Sequence, residues 1–418
     1  MFALVDANSF YCSAEQVFRP DWRNKPIVVL SNNDGCVVAV NRLAKEAGIP
    51  KFEAYFKVKA LCELKNVIVL SSNYDLYANL SMNMMNVIGR FAPEQNIYSI
   101  DESFLSFDRT THAIPCLTTH GRMIRRAIWK ECRLPVCVGF GETLTLSKVA
   151  NRIAKSHRSY NGVCVIDSEK ARIEHLGSIS ASDVWGVGRR LSEQMKFMGI
   201  NTALDLARLN PSKARKEFNI NVERTVRELN GVRCLHWDNI AVPKKQIYST
   251  RSVGERITNL HNLTEAIAKH CGIASRKARN QQSLCRTMVV FAGNSPFDAR
   301  PLNKKMTHQF AYPTADVTAI TKVASELAKQ IFAEGIEYYK VGVGLIELVS
   351  GDNEQGDLFN PHPNNNKLMN VFDGLNSRFG GSTLFLASQG IEQKWDMRRE
   401  HLTPSYTSDW KSLPKIKC

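Results

Sequence analysis

Three acidic residues carry the clearest chemistry in this 418-residue sequence. Asp6 closes a short apolar run at residues 2–5, and the adjacent pair Asp101-Glu102 interrupts a second run at 96–107. Both runs read as strands, so the acids stand at strand ends or on the turn between strands. Carboxylates that converge from different strands suit magnesium, which prefers hard oxygen ligands. Two such ions a few ångströms apart support displacement at phosphorus: one activates the attacking oxygen, and the other holds a triphosphate and its leaving pyrophosphate. A plainer reading has Asp6 capping a loop and Asp101-Glu102 on a solvated turn. Spacing alone leaves both readings open.

The elements that would position these acids follow from the flanking pattern. Residues 26–30 (PIVVL) predict a buried strand, and 41–47 a helix stopped by Gly48 and Pro50. Residues 74–91 place Leu76, Leu80, Met84, Val87, Ile88 and Phe91 at helical spacing before Pro93. Residues 96–107 predict two short strands about a tight turn at 99–102; 120–131 a basic helix; 136–140 a strand; and 144–155 another helix. The alternation implies a mixed sheet with helices against one face. Beyond Asp167 the pattern is helical, with segments at 181–206 and 222–229. Pro243 marks a linker, and strand and helix alternate again over 247–348. Residues 350–366 form a polar tether, and the last fifty residues regain structure with Trp395 and Trp410 as anchors.

The length allows two to four domains. A net charge of +15 and a pI near 9.3 favour a polyanionic partner. The charge is uneven. Residues 1–110 carry 11 Lys/Arg against 12 Asp/Glu, whereas 244–310 carry 12 against 3, a net of +9. Such a segment suits a surface that grips phosphates without reading bases. No apolar run approaches the roughly 20 residues of a spanning helix, and the start MFALVDANSF lacks a basic region before its apolar stretch, so neither a membrane span nor a signal peptide is expected. Eleven scattered cysteines without a CxxC pair read as reduced thiols, which points to the cytoplasm.

The motifs around the acids narrow the choice. Asp6-Ala7-Asn8-Ser9-Phe10-Tyr11 with Glu15, and Tyr98-Ser99-Ile100-Asp101-Glu102-Ser103-Phe104, resemble the two signature motifs of Y-family DNA polymerases; residues 26–30 and 31–35 and the pair Asn73-Tyr74 add agreement. The resemblance spans essentially the whole chain. The tail (Thr383-Leu384, Gln389-Gly390, Trp395, Ser405-Tyr406-Thr407) points to one branch of that family. It implies an α+β fold in a right-hand arrangement. A ferredoxin-like palm would occupy 1–18 and 74–167, small fingers 19–73, and a helical thumb with a helix-hairpin-helix 168–240. A mixed α/β little finger would occupy 243–349, a linker with a clamp-binding peptide 350–366, and a C-terminal extension 367–418.

The resemblance also implies roles. Asp6, Asp101 and Glu102 would be catalytic and, with the Ala7 carbonyl, would hold two Mg2+ ions. Asn8 stands where many relatives have a second Asp. Tyr11, beside Phe10, would be the steric gate under the incoming sugar; Arg42, Lys45 and Lys155 would hold the triphosphate, and Cys36 and Val38 would roof the base pair. Gly186, Gly188, Arg189 and Arg190 would grip the DNA backbone at a helix N-terminus. Gln355, Leu358 and Phe359 would dock on a sliding clamp. The implied activity is error-prone translesion synthesis in the SOS response, on primer-template DNA with dNTPs. The implied partners are a processed UmuD-type dimer, a RecA filament and the sliding clamp, with nucleoid association during action. The rivals are a non-catalytic DNA-binding repair factor on the same scaffold, a palm-fold nucleotide cyclase and an undamaged-template replicase. The first would need a lost acid; the second has no use for a basic clasp; the third would need the extra acids of a proofreading exonuclease, which no segment supplies.

Overall fold

The computed structural model describes residues 1–108, 110–236, 243–352, 365–380 and 383–413. The chain opens with β1 (Phe2–Ala7), α1 (Phe10–Glu15), β2 (Ile27–Leu30), β3 (Val37–Val40), α2 (Arg42–Glu46), α3 (Tyr55–Leu64) and β4 (Ile68–Ser71). It continues through α4 (Tyr74–Ile88), β5 (Glu94–Ile97), β6 (Glu102–Ser106), α5 (Leu117–Cys132), β7 (Val136–Gly141), α6 (Leu144–Ser156) and β8 (Val163–Ile166). Five short helices follow: α7 (Glu169–Ser178), α8 (Arg189–Phe197), α9 (Ala203–Ala207), α10 (Pro211–Glu217) and α11 (Ile220–Leu229). These elements, with the stretch from His401 onward, form one unit.

Every residue of β1 is buried, which fits a central strand. It lies antiparallel between β6 and β7 in a five-stranded sheet of order β5-β6-β1-β7-β8. Ala3, Val5 and Ala7 face the core shared with α4 and α5, while Phe2 and Leu4 meet Phe104 and Leu144 on the opposite side. Helices cover both faces of this sheet, not one as the alternation implied. The cause lies in Gly139 and Gly141, successive residues of β7 on the face away from α5. A Cβ at Gly139 would overlap the Asn151 backbone, and one at Gly141 would stand 2.6 Å from the Ser147 nitrogen, so bare backbone lets α6 seat directly on the strand. A smaller sheet, β3-β2-β4, packs with α2 and α3 around Val28, Leu30, Val37 and Val58. The helices α7 to α11 enclose Leu176, Met195, Leu206, Val226 and Leu229.

The second unit comprises Asn32–Asp34 and Ile240–Glu400. Its elements are β9 (Ile247–Ile257), α12 (Leu260–Asn280), β10 (Ser283–Gly293), β11 (Asn303–Thr314), α13 (Val317–Ile331), β12 (Tyr338–Ser350) and α14 (Asn366–Phe379). The four strands form an antiparallel sheet of order β11-β10-β12-β9. Side chains of α12 and α13 pack on one face around Ile267, Ile320, Met288 and Val343. On the other, Lys305, Phe291, Gly342 and Thr250 stand in one transverse row, and Thr307, Val289, Gly344 and Tyr248 in the next. The two glycines leave room for Phe291, Thr250 and Tyr248.

The tail expected as one extension, 367–418, divides between the units at Glu400 and His401. Trp395 is buried in the core of the second unit. Trp410, expected as the other anchor, is 89% exposed, and Tyr406 takes that part with 7% exposure in the core of the first unit. The cysteines among the described residues are free thiols, and no helix there is long and apolar enough to cross a membrane.

Candidate active site

Antiparallel pairing sets Asp6 directly opposite Glu102. The Ala7 N–H donates to the Asp101 carbonyl at 2.9 Å, so the strand end and the turn are held together through backbone. Ser99 fixes that turn: its hydroxyl donates to Asp101 Oδ1 at 2.6 Å and accepts from the Glu102 N–H at 3.2 Å. The backbone thus brings all three acidic residues to one end of the sheet.

Two lysines of α6 face them. Lys155 Nζ lies 2.5 Å from Asp6 Oδ1, and Lys148 Nζ lies 2.8 Å from Glu102 Oε2. Seven residues apart, they stand two turns apart on one face of α6, while Leu146, Val149, Ala150 and Ile153 bury the other. Burial pushes the Asp6 carboxyl up to about 7 despite the attraction of Lys155. Burial also pushes Glu102 upward, but Lys148, the Asp6 hydrogen bond and Lys155 outweigh it and hold that carboxyl below its ordinary value. The pair is thus asymmetric, with Asp6 the more readily protonated. Lys148 was not singled out by the motifs. Its ammonium stands over three rings, 4.4 Å from the centroid of Tyr98, 5.0 Å from Trp185 and 5.7 Å from Phe104. Its seven-residue spacing from Lys155 was the available signal.

A cavity of about 930 Å³ opens beside the acids and is walled by Asp6, Ala7, Phe10, Tyr11, Val38, Arg42, Lys45, Asp101 and Lys155 among others. That volume suits a nucleotide-sized ligand. Ser9, at φ 46°, turns the chain sharply from β1 into α1, which brings Tyr11 to the cavity five residues after Asp6. The Ser9 hydroxyl donates to the Val40 carbonyl at 3.0 Å and holds this turn against β3. The Tyr11 ring stacks on Tyr77 with centroids 4.5 Å apart. Lys45 is exposed, and Arg42 is ion-paired with Glu46 at 2.6 Å. Cys36 is exposed and lies off the cavity wall. Arg23, Lys51 and Arg152 also line the cavity and add positive charge that the motif reading missed.

The donor set suits magnesium: three carboxylates and a backbone carbonyl, all oxygen. Among the described residues, however, no three acids, histidines or cysteines stand close enough to form a ready-made metal cage. The lysines supply the positive charge instead. The buried Asp6 carboxylate, 7% exposed, is under-compensated by Lys155 alone, and a divalent ion would offset it.

The residues predicted to grip DNA lie apart from the cavity. Gly186, at φ +90°, and Gly188, the N-cap residue of α8, form the turn that presents Arg189 and Arg190; the Arg189 side chain is 92% exposed, with Glu193 at 3.0 Å. Gln355, Leu358 and Phe359 lie outside the described residues.

Comparison with known proteins gives the chain a family. The impB/mucB/samB family matches residues 5–152, its C-terminal domain matches 244–358, and a domain of unknown function matches 366–416. A solved Y-family DNA polymerase chimera of Dbh and Dpo4 superposes with a TM-score of 0.62 at 18% identity, covering 84% of this chain and all of the other. An insertion ternary complex of Dbh DNA polymerase gives 0.53 at the same identity and coverage. The fold is that of a Y-family DNA polymerase. UmuC of Salmonella typhimurium is 40% identical over 426 residues, covering 100% of both chains, and MucB of Escherichia coli is 40% identical over 420 residues, covering 99% of both. DNA polymerase IV 2 of Bacillus subtilis is 25% identical over 397 residues, covering 92% of this chain and 93% of that one. The chain belongs to the impB/mucB/samB family, on the side of UmuC and MucB.

Proposed function

We propose that this protein adds deoxynucleotides to a primer end opposite damaged template bases, as an SOS-induced polymerase. The carrying observation is the backbone pairing that brings Asp6, Asp101 and Glu102 to one end of the sheet, beside a nucleotide-sized cavity that Asp6, Asp101 and Tyr11 line. The three carboxylates and the Ala7 carbonyl would hold two Mg2+ ions. Bound magnesium supplies the charge that favours the ionised 3′ oxygen and the departing pyrophosphate. Lys155 and Lys45, with Arg42, neutralise the triphosphate, and Lys155 leaves Asp6 to do so. The Tyr11 ring fills the space a 2′-hydroxyl would need. Arg189 and Arg190 at the start of α8, and Lys305 on the open sheet face of the second unit, meet DNA phosphates.

By family likeness the partners are a processed UmuD-type dimer, a RecA filament and a sliding clamp, the last through Gln355, Leu358 and Phe359. Primer extension on a defined lesion tests the core of this reading. Asp101→Asn should abolish extension while leaving primer-template affinity within about twofold. Extension at the wild-type rate would remove Asp101 from the chemistry.

A further inference from the structure

Tyr11 is backed by a series of contacts that ends far from the signature motifs. Its ring lies nearly parallel to that of Tyr77, with 15° between the planes. Tyr77 is fully buried, and its hydroxyl donates to Glu15 Oε1 at 2.7 Å. The Thr403 hydroxyl stands against the same carboxylate, although no hydrogen bond of ordinary geometry reaches Glu15 Oε2. Asn73 ties that threonine to the helix carrying Tyr77. As the N-cap residue of α4 it accepts from the Leu76 N–H at 3.3 Å, and it donates to Thr403 Oγ1 at 3.1 Å. One turn further, Asn79 donates to Thr407 Oγ1 at 2.8 Å. His401 donates its N–H to Ser71 Oγ at 2.9 Å, and the Ser71 N–H returns to the His401 carbonyl at 3.0 Å. Tyr406 stacks on Phe18 just beyond α1, with centroids 4.8 Å apart.

Residues 401–407 thus grip the end of β4, the first turns of α4 and the chain after α1. None of the seven lines the cavity. They fall within 366–416, the part of the chain that the family models match to a domain of unknown function. We propose that residues 401–407 are a positioning brace: by holding Glu15, Tyr77 and the start of α4, they fix the ring behind Tyr11 and set how strictly the pocket separates deoxyribose from ribose. The inference rests on the reading of Tyr11 as the sugar gate. Steric exclusion of one hydroxyl depends on placement to a fraction of an ångström, and such placement comes from the residues behind the contacting one. Thr403 and Tyr406 act through others and are positioning residues.

The test compares full-length wild type with Tyr11→Ala, Thr403→Val, Thr403→Ser and Tyr406→Ala. Primer extension with magnesium gives kcat and KM for a dNTP and the matching rNTP opposite the same template base. Thermal unfolding is followed in parallel. Thr403→Val and Tyr406→Ala should lower the deoxyribose preference by roughly tenfold, with primer-template affinity unchanged. Thr403→Ser, which keeps the hydroxyl, should restore it. Thr403→Val keeps the side-chain volume, so the comparison stands even where Tyr406→Ala unfolds. Wild-type preference in Thr403→Val and Tyr406→Ala, alongside its loss in Tyr11→Ala, overturns the brace and leaves the gate. An equal drop in kcat for both sugars overturns it too, because the segment then only supports the fold. Unchanged preference in Tyr11→Ala overturns gate and brace together.

Discussion

At the scale of single residues, the acids of this site were legible and their partners were not. Asp6, Asp101 and Glu102 stand out by interrupting apolar runs, and the flanking motifs, not the spacing, suggest their role. Lys148 belongs to a helix some forty residues later, and only folding reveals that it pairs with Glu102. Glu15 shows a second limit. The sequence marks it as part of a motif, but only the structure shows it buried, with 0% exposure and one carboxylate oxygen unpartnered. Burial pushes its carboxyl up to about 7, against the Tyr77 hydrogen bond and the nearby Thr403 hydroxyl, which pull it down. The folded protein therefore binds this proton more tightly than the unfolded chain, whose carboxyl titrates near 4.5. The stabilisation is full below about 4.5 and is lost as pH rises through about 7. Glu15→Gln should be the more stable protein at pH 8, by at most about 3 kcal/mol, and should lose that advantage at pH 5. Denaturant unfolding at both values checks this, and a gap independent of pH would rule out the buried proton.

At the scale of elements, strand and helix types follow from local periodicity, whereas their layering depends on a detail that periodicity ignores. The turn between β5 and β6, the caps of α4 and the break at Gly48 all follow rules of short range. That α6 lies on the opposite face from α5 depends on Gly139 and Gly141, whose missing side chains let a helix backbone touch a strand. This seating carries Lys148 and Lys155 to the acids. Gly139→Ala must push α6 off β7 and should cost about 3 kcal/mol or more. Extension activity should fall further than the folded fraction does, since both lysines move with the helix. Chemical denaturation beside single-turnover rates separates the two effects; unaltered stability would mean that α6 can shift freely.

At the scale of the whole chain, the excess positive charge was visible from composition, and so was its concentration at 244–310. What the sequence did not reveal was which lysines stand on the open face of the second sheet. The sheet of the second unit covers one side with α12 and α13 and leaves Lys305 exposed on the other, with Lys340 one transverse row away. Primer-template affinity should fall steeply between 50 and 200 mM salt, about 10³-fold or more for six or more phosphate contacts. Replacing Lys305 and Lys340 by alanine should make the logarithmic salt slope shallower by about one per lysine. An unaltered slope in the double variant would move the DNA path elsewhere.

The return of Tyr406 into a core founded by Ala3 and Val5 has a consequence for biosynthesis. Domains ordinarily mature in the order in which they leave the ribosome, amino-terminal first. Here one core lacks its last aromatic ring until Tyr406 has emerged, about four hundred residues after Ala3 and Val5. A nascent chain stalled or cut short before that point leaves Phe18 without the ring that stacks on it, and uncovered apolar surface of that kind draws chaperones and proteases.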